Sequence, residues 1–187
     1  MALARVPERG SPLDGIELTR MRRRHLRRVL AIESQVYPRP WSAALFLSEI
    51  AQRSTRSYLV ARHQGVVVGY AGMMLTGREA HITNIAVDPT FHGRKVGTRL
   101  LYSLVTEAVA RGAEVISLEV RTSNEIAQDM YRKFGFDVVG TRKGYYVETN
   151  EDAYVMVVED ARSGDFLYRV GVIRAELSET LDGAPGE

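Results

Sequence analysis

The chain of 187 residues contains no cysteine, which excludes disulfides, thiolate zinc sites and an acyl-cysteine intermediate together. Histidine is sparse. His25, His63, His81 and His92 are scattered, with no pair at the i, i+4 spacing that sets two imidazoles on one helical face, so no metal is expected. Long apolar runs are missing as well. Nothing approaches the roughly 18 uninterrupted apolar residues of a membrane span, and residues 1–15 lack the apolar core of a signal peptide. The expectation is a soluble, cytoplasmic protein with no membrane partner.

Strong net charge is also absent. Lys and Arg number 25 against 23 Asp and Glu, a formal +2, too little to indicate a nucleic-acid binder by bulk charge. The distribution is uneven, because Arg20, Arg22, Arg23, Arg24, Arg27 and Arg28 fall in one short stretch and leave the rest of the chain at 19 basic against 23 acidic groups, a net of −4. The cluster reads either as a solvated helix face whose long side chains cover apolar surface or as a patch that draws the protein toward ribosomal RNA.

What is present reads as one domain of ordinary size. Residues 1–15, with Pro7, Gly10, Pro12 and Gly15 and no apolar period, are expected to form a flexible lead-in. A short strand is predicted at 16–19, then a helix with Leu26, Val29 and Leu30 as its apolar stripe, stopping before Pro38. Pro38, Pro40 and Trp41 make a rigid corner, and Ser42 offers an N-cap to a second helix through Ile50. The period then changes to two for strands at 58–61, 66–75 and 80–87. A glycine-bearing loop at 92–97 feeds a helix with Leu100, Leu101, Leu104, Val105 and Ala108 on one face, ending at Gly112. A dense strand at 115–120 follows, then a helix from Asn124 to Phe134 closed by Gly135, and strands at 137–146 and 153–158. The passage from Ile82 to Val120 supplies a strand, helix, strand crossover, so the order suits an α/β fold with a mixed sheet of about seven strands and helices on both faces. Residues 161–187 form an extension in which Phe166, Val170, Ile173, Leu177 and Leu181 recur at helical intervals interrupted by Gly171.

Chemistry concentrates at the end of the strand at 80–87 and the loop that follows. A glycine-containing loop ahead of a helix exposes unpaired backbone N–H groups, and the helix dipole favours an anion there by about 0.3–1 kcal/mol. His92, Gly93, Arg94, Lys95, Val96, Gly97 and Thr98 form this loop and helix start, with Arg94 and Lys95 adding charge. Together with Val87-Asp88-Pro89 they resemble the pyrophosphate loop of the GNAT superfamily of N-acetyltransferases. The likeness continues through Leu118-Glu119-Val120-Arg121-Thr122-Ser123-Asn124, Met130-Tyr131-Arg132-Lys133-Phe134-Gly135-Phe136, Tyr145-Tyr146 and Glu151-Asp152-Ala153-Tyr154-Val155-Met156. This combination is similar to the protein N-terminal acetyltransferases of the RimI type, which modify the N-terminal alanine of a small-subunit ribosomal protein, and Pro40-Trp41-Ser42 resembles their entrance segment. The resemblance covers about residues 16–160 and implies the GNAT fold. His92 departs from the usual Gln or Arg, and Lys95 occupies the place of the loop's first glycine.

The resemblance implies acetyl-CoA as co-substrate, Glu119 as general base acting through water, and Tyr131 as the acid that protonates the coenzyme A sulfur. It also implies that backbone N–H groups of Ile85, Ala86 and Val87 hold the acetyl and pantetheine arm, that Asn124 contacts the cofactor, and that Trp41, Tyr145 and Tyr146 line a peptide slot. With no cysteine, direct attack in a ternary complex is the economical route. The residues alone leave other roles open: Glu119 as a salt-bridged strand residue, Tyr131 as a core aromatic, Asn124 as an N-cap, and the tyrosine pair as buried hairpin residues. An α-amine with a pKa near 8 costs about 1.4 kcal/mol to deprotonate at pH 7, whereas a lysine costs nearly 5 kcal/mol. One carboxylate therefore suffices for an N-terminus. The alternatives are an acetyltransferase for lysine or small-molecule amines, or a non-catalytic module that binds coenzyme A or the ribosome.

Overall fold

The computed structural model describes residues 15–179. Seven strands form one mixed sheet: β1 (Ile16–Arg20), β2 (Arg56–His63), β3 (Val66–Thr76), β4 (Glu79–Val87), β5 (Val115–Arg121), β6 (Asp137–Tyr146) and β7 (Glu151–Val158). Their spatial order is β1-β2-β3-β4-β5-β7-β6, antiparallel throughout except for the β4–β5 pair. That parallel pair is joined by α3 (Val96–Ala110), as the strand, helix, strand reading requires.

The sheet separates two apolar clusters. On one face α1 (Leu26–Val36) and α2 (Ala43–Ala51) bury Leu26, Val29, Ile32 and Phe46 against Tyr58, Val60, Val67 and Tyr70. On the other face α3, α4 (Glu125–Lys133) and α5 (Gly164–Glu179) close over Leu59, Ala71, Ile116, Leu118 and Met156. Strand alternation sends Leu118 and Val120 to the second cluster and turns Glu119 and Arg121 toward α1 and α2.

Capping follows the sequence closely. Ser42 accepts a hydrogen bond from the Leu45 N–H at 3.2 Å, and Asn124 accepts one from the Ala127 N–H at 3.1 Å. The segment after residue 160 differs from its reading in one respect. Gly171 does not interrupt the helix, because Phe166, Ile173 and Leu177 dock into the α3-side cluster and tertiary burial overrides the low propensity of one glycine. Leu181 and residues 1–14 of the lead-in lie outside the described residues.

Two irregularities create the site. Gly72 pairs with Asn84 and Met73 with Ile82, so Thr83 is an extra residue in β4. A Cβ on Gly72 would lie 2.2 Å from the Tyr58 ring, so only glycine lets that ring cross β3 and bring its hydroxyl to Thr83 Oγ1 at 3.2 Å. Beyond this bulge β4 leaves β5. The parallel ladder holds only Glu79, Ala80 and His81 against Val115, Ile116 and Ser117, whereas β5 continues on β7 to Arg121. A gap opens between the C-terminal halves of β4 and β5.

Candidate active site

The β4 wall of the gap carries unsatisfied backbone groups. The Asp88 N–H donates to Val68 O in β3, so alternation turns Ala86 toward β3 as well and leaves Ile85 and Val87 facing the gap. The carbonyls on that side are taken: Tyr37 donates its hydroxyl to Ile85 O at 3.0 Å, and a ring nitrogen of His92 lies 3.2 Å from Val87 O. Among the described residues nothing accepts from the N–H groups of Ile85 and Val87, which an acyl or amide chain could use. Of the three donors read from the sequence, the Ala86 N–H is engaged in the sheet, and its side chain is buried on the α1 face.

Past β4 the chain makes the glycine-bearing loop that leads into α3. Gly93 has φ 77°, with open space where a Cβ would be, and Lys95, the N-cap of α3, has φ 54° and ψ 18°. Lys95 thus adopts the left-handed conformation that the glycine it replaces would take freely, at a cost of about 1–2 kcal/mol, and the loop still delivers α3 N-terminus first. Val96 is buried in the core, so it offers the loop only its backbone. Gly97 sits beside Val87 and Met130, where even a Cβ would meet them at ordinary contact distances of 3.8 Å and 3.6 Å. Arg94 stacks 5.0 Å over Phe91. A positive helix end and an open glycine are chemistry that suits a pyrophosphate, and the left-handed Lys95 keeps the backbone path a glycine would take there.

On the β5 wall Glu119 faces α1 and α2 with its side chain only 9% exposed. Its Oε2 lies 3.1 Å from His81 Nε2 and its Oε1 3.3 Å from Arg142 Nη2. Ser117 Oγ stands 2.9 Å from His81 Nδ1. A serine hydroxyl donating to Nδ1 leaves the ring proton on Nε2, directed at the carboxylate. The His81 hydrogen bond, outweighing burial and aided by the Arg142 charge, holds the Glu119 carboxyl below its ordinary range. His81, Ser117 and Arg142 carried no signal in the sequence, since 38 residues separate His81 from Glu119.

Across the gap, α4 supplies Tyr131. It is 8% exposed, packs on Phe136, and its hydroxyl has no hydrogen-bond partner among the described residues. Burial, with the neighbouring Tyr146, pushes its phenol above the ordinary tyrosine range, so the proton stays on it. Asn124 caps α4 through its side-chain oxygen at the same end of the sheet.

The slot above Glu119 is closed by the β6–β7 hairpin. Arg142 pairs with Ala153, and pairing resumes only at Tyr146 with Glu151, so the intervening residues bulge out. Tyr145, 44% exposed, meets Tyr146 edge-on at 5.2 Å. Arg121 lies 3.8 Å from the centre of the Tyr146 ring and pairs with Glu148 at 2.8 Å and Glu151 at 3.0 Å, bracing the hairpin. Burial raises the Tyr146 phenol to about 12. The opposite wall is the end of α1, where Tyr37, unnoticed in the sequence, stands within electrostatic reach of Tyr131, Tyr146, Arg121 and Glu33. Glu33 is 2% exposed; its Oε1 accepts from the Trp41 N–H at 2.9 Å, and burial outweighs that hydrogen bond to raise its pKa to about 7. The Trp41 ring lies 5.4 Å from Phe46 and packs on the α1–α2 cluster.

The sequence pattern of the acetyltransferase (GNAT) family matches residues 26–136. The chain belongs to this family. It is an acetyl-CoA-dependent N-acetyltransferase. It is similar to the Mycobacterium tuberculosis protein named N-alpha-acetyltransferase RimI, 39% identical over 149 residues that cover 76% of this chain and 92% of that one. The Bacillus subtilis putative ribosomal protein bS18-alanine N-acetyltransferase is 38% identical over 138 residues, 74% of this chain and 91% of that protein. Among solved structures, the Escherichia coli ribosomal-protein-S18-alanine N-acetyltransferase superposes with a TM-score of 0.72 at 29% identity, covering 80% of this chain and 96% of that one. The sheet order is that of the solved relative on which this chain superposes.

Among the described residues no group of His, Asp and Glu is arranged to hold a metal ion, and no helix is long and apolar enough to cross a membrane.

Proposed function

We propose that this N-acetyltransferase acetylates the N-terminal α-amine of a protein, the N-terminal alanine of a small-subunit ribosomal protein, by direct attack in a ternary complex. The observation that carries the reading is the pairing of opposites across one gap: an ionised carboxylate, Glu119, on the slot side and a protonated phenol without a partner, Tyr131, on the other. When bound, acetyl-CoA supplies a thioester whose acetyl carbon is the electrophile. Ile85 and Val87 hold the acyl chain through their N–H groups, and the loop from His92 to Thr98 holds the phosphates. Glu119 receives the acceptor proton through water, and Tyr131 donates one toward the sulfur. The names and high mutual coverage of the relatives support the ribosomal acceptor.

The test is a paired assay. A peptide beginning with alanine and bearing a free N-terminus turns over, and the same peptide blocked at its N-terminus but carrying an internal lysine does so at least 100-fold more slowly, as the difference of about 3 kcal/mol in deprotonation requires. Comparable rates would move the acceptor to lysine.

The partner side of the same reading rests on the arginine cluster. Arg20 is paired with Glu107 and Arg28 with Asp88, whereas Arg22, Arg23, Arg24 and Arg27 are exposed without an ion pair among the described residues. They surround the start of α1, whose first turn has no acidic residue, so the helix dipole adds to their charge. The Arg28–Asp88 contact ties this end of α1 to the head of the phosphate loop, while its far end lines the acceptor slot. These four guanidinium groups meet ribosomal RNA phosphates. Acetylation of an RNA-associated substrate then falls steeply from low to physiological salt while a free peptide responds little, and changing the four arginines to Gln removes the difference. Equal salt responses would leave them as a solvated helix face.

A further inference from the structure

Both oxygens of Glu119 are occupied, and the two clamps differ. His81 is braced by Ser117, and its side chain is 30% exposed. Arg142 lies on the edge strand β6, at the point where β6 leaves β7, and its side chain is 56% exposed. Its guanidinium also faces the Tyr145 ring at 5.5 Å. The Arg142 guanidinium stands beside Oε1 as an ion pair at 3.3 Å, so it occupies the approach to the acceptor sites that oxygen still has open. The acceptor's ammonium is itself a cationic donor, and it must reach this carboxylate past the exposed side, which is the Oε1 side.

Building on the assignment of Glu119 as the acceptor-side carboxylate, we propose that Arg142 is a specificity-determining counter-ion gate, its guanidinium holding Glu119 Oε1 in the free enzyme and giving up that place to the acceptor's α-ammonium together with the water that relays its proton. The exchange replaces one positive charge by another, so Glu119 never stands uncompensated in a largely buried setting. A blocked, uncharged terminus offers no cation and leaves Arg142 in place. The released guanidinium returns to water at the sheet edge, where it is already more than half solvated. His81 keeps the carboxylate oriented throughout because Ser117 fixes its ring.

The test separates KM from kcat at saturating acetyl-CoA with an alanine-starting peptide. In Arg142→Gln the competitor for Oε1 is gone, and KM for the peptide falls about two- to fivefold, the range of an exposed ion pair, with a smaller change in kcat. Arg142→Lys retains a cation and keeps KM near the wild-type value. An unchanged or raised KM in Arg142→Gln would overturn the gate. The double variant with Glu119→Gln shows whether the effect passes through the carboxylate: there Arg142→Gln no longer lowers KM. The two assignments fail separately. If Glu119→Gln keeps full kcat while Arg142→Gln still lowers KM, the exchange stands and the base role falls. If Glu119→Gln abolishes turnover while Arg142→Gln leaves KM untouched, the base stands and the gate falls.

Discussion

Glu119→Gln is expected to lower kcat for an alanine-starting peptide at pH 7 on the order of 100-fold, at the lower end of what a positioned general base contributes. The lower end applies because an α-amine with a pKa near 8 needs only about 1.4 kcal/mol to lose its proton at that pH. The same argument gives the effect a pH signature. As the medium rises from 7 toward 9 the free amine becomes the major species, so the deficit shrinks. The wild-type profile has its own sign. The His81 hydrogen bond and the Arg142 charge depress the Glu119 pKa, so the carboxylate is ionised and able to accept a proton through the neutral range. The fall in kcat/KM below pH 8 therefore belongs to the acceptor amine, with no carboxylate limb until the pH drops beneath the ordinary glutamate range. Linkage runs the same way: the depressed pKa contributes stability above the unfolded carboxylate value, and that contribution is lost as pH falls through the folded value. Glutamine is nearly isosteric and still accepts from His81, so the variant folds. A deficit that stays constant from pH 7 to 9 would mean that Glu119 orients the acceptor and takes no proton.

Tyr131→Phe is expected to cut kcat by about 100-fold or more, while KM for acetyl-CoA changes little. The hydroxyl has no hydrogen-bond partner to lose, and Phe retains the ring that packs 6.0 Å from Phe136, so stability is nearly unaffected. That separates the two roles available to a buried tyrosine. A core aromatic tolerates this change, whereas an acid does not. Stopped-flow measurement of coenzyme A thiol release, beside a thermal unfolding curve, reads both quantities on one preparation. Wild-type release with an unchanged curve would assign the proton to water.

The helix starts, the strand periods and the position of the glycine-bearing loop were legible because each depends on contacts within a few residues. Ser42 and Asn124 cap helices as their positions imply, and the alternation at 115–120 places Glu119 opposite Leu118 and Val120. The state of the loop was not legible. Lys95 in place of glycine reads as a departure, and only the backbone shows that it takes the left-handed φ of 54° that a glycine would take freely. Likewise Gly171 reads as a break, yet three buried side chains carry α5 straight through it.

By itself the sequence determined the absence of a cysteine, and hence a transfer without a cysteine acyl-enzyme, along with the order of elements and the alternation that sets Glu119 opposite Leu118 and Val120. Which groups surround those residues was decided by tertiary structure alone. The gap exists because β4 gains one residue at Thr83 and leaves β5 after His81. The Glu119 carboxylate is held by His81 from one strand and Arg142 from another, and the slot is walled by Tyr37 from a helix end. These contacts bridge 23 to 48 residues of chain. Local periodicity has no term for such distances; only the packing of helices on both faces of a twisted sheet sets them.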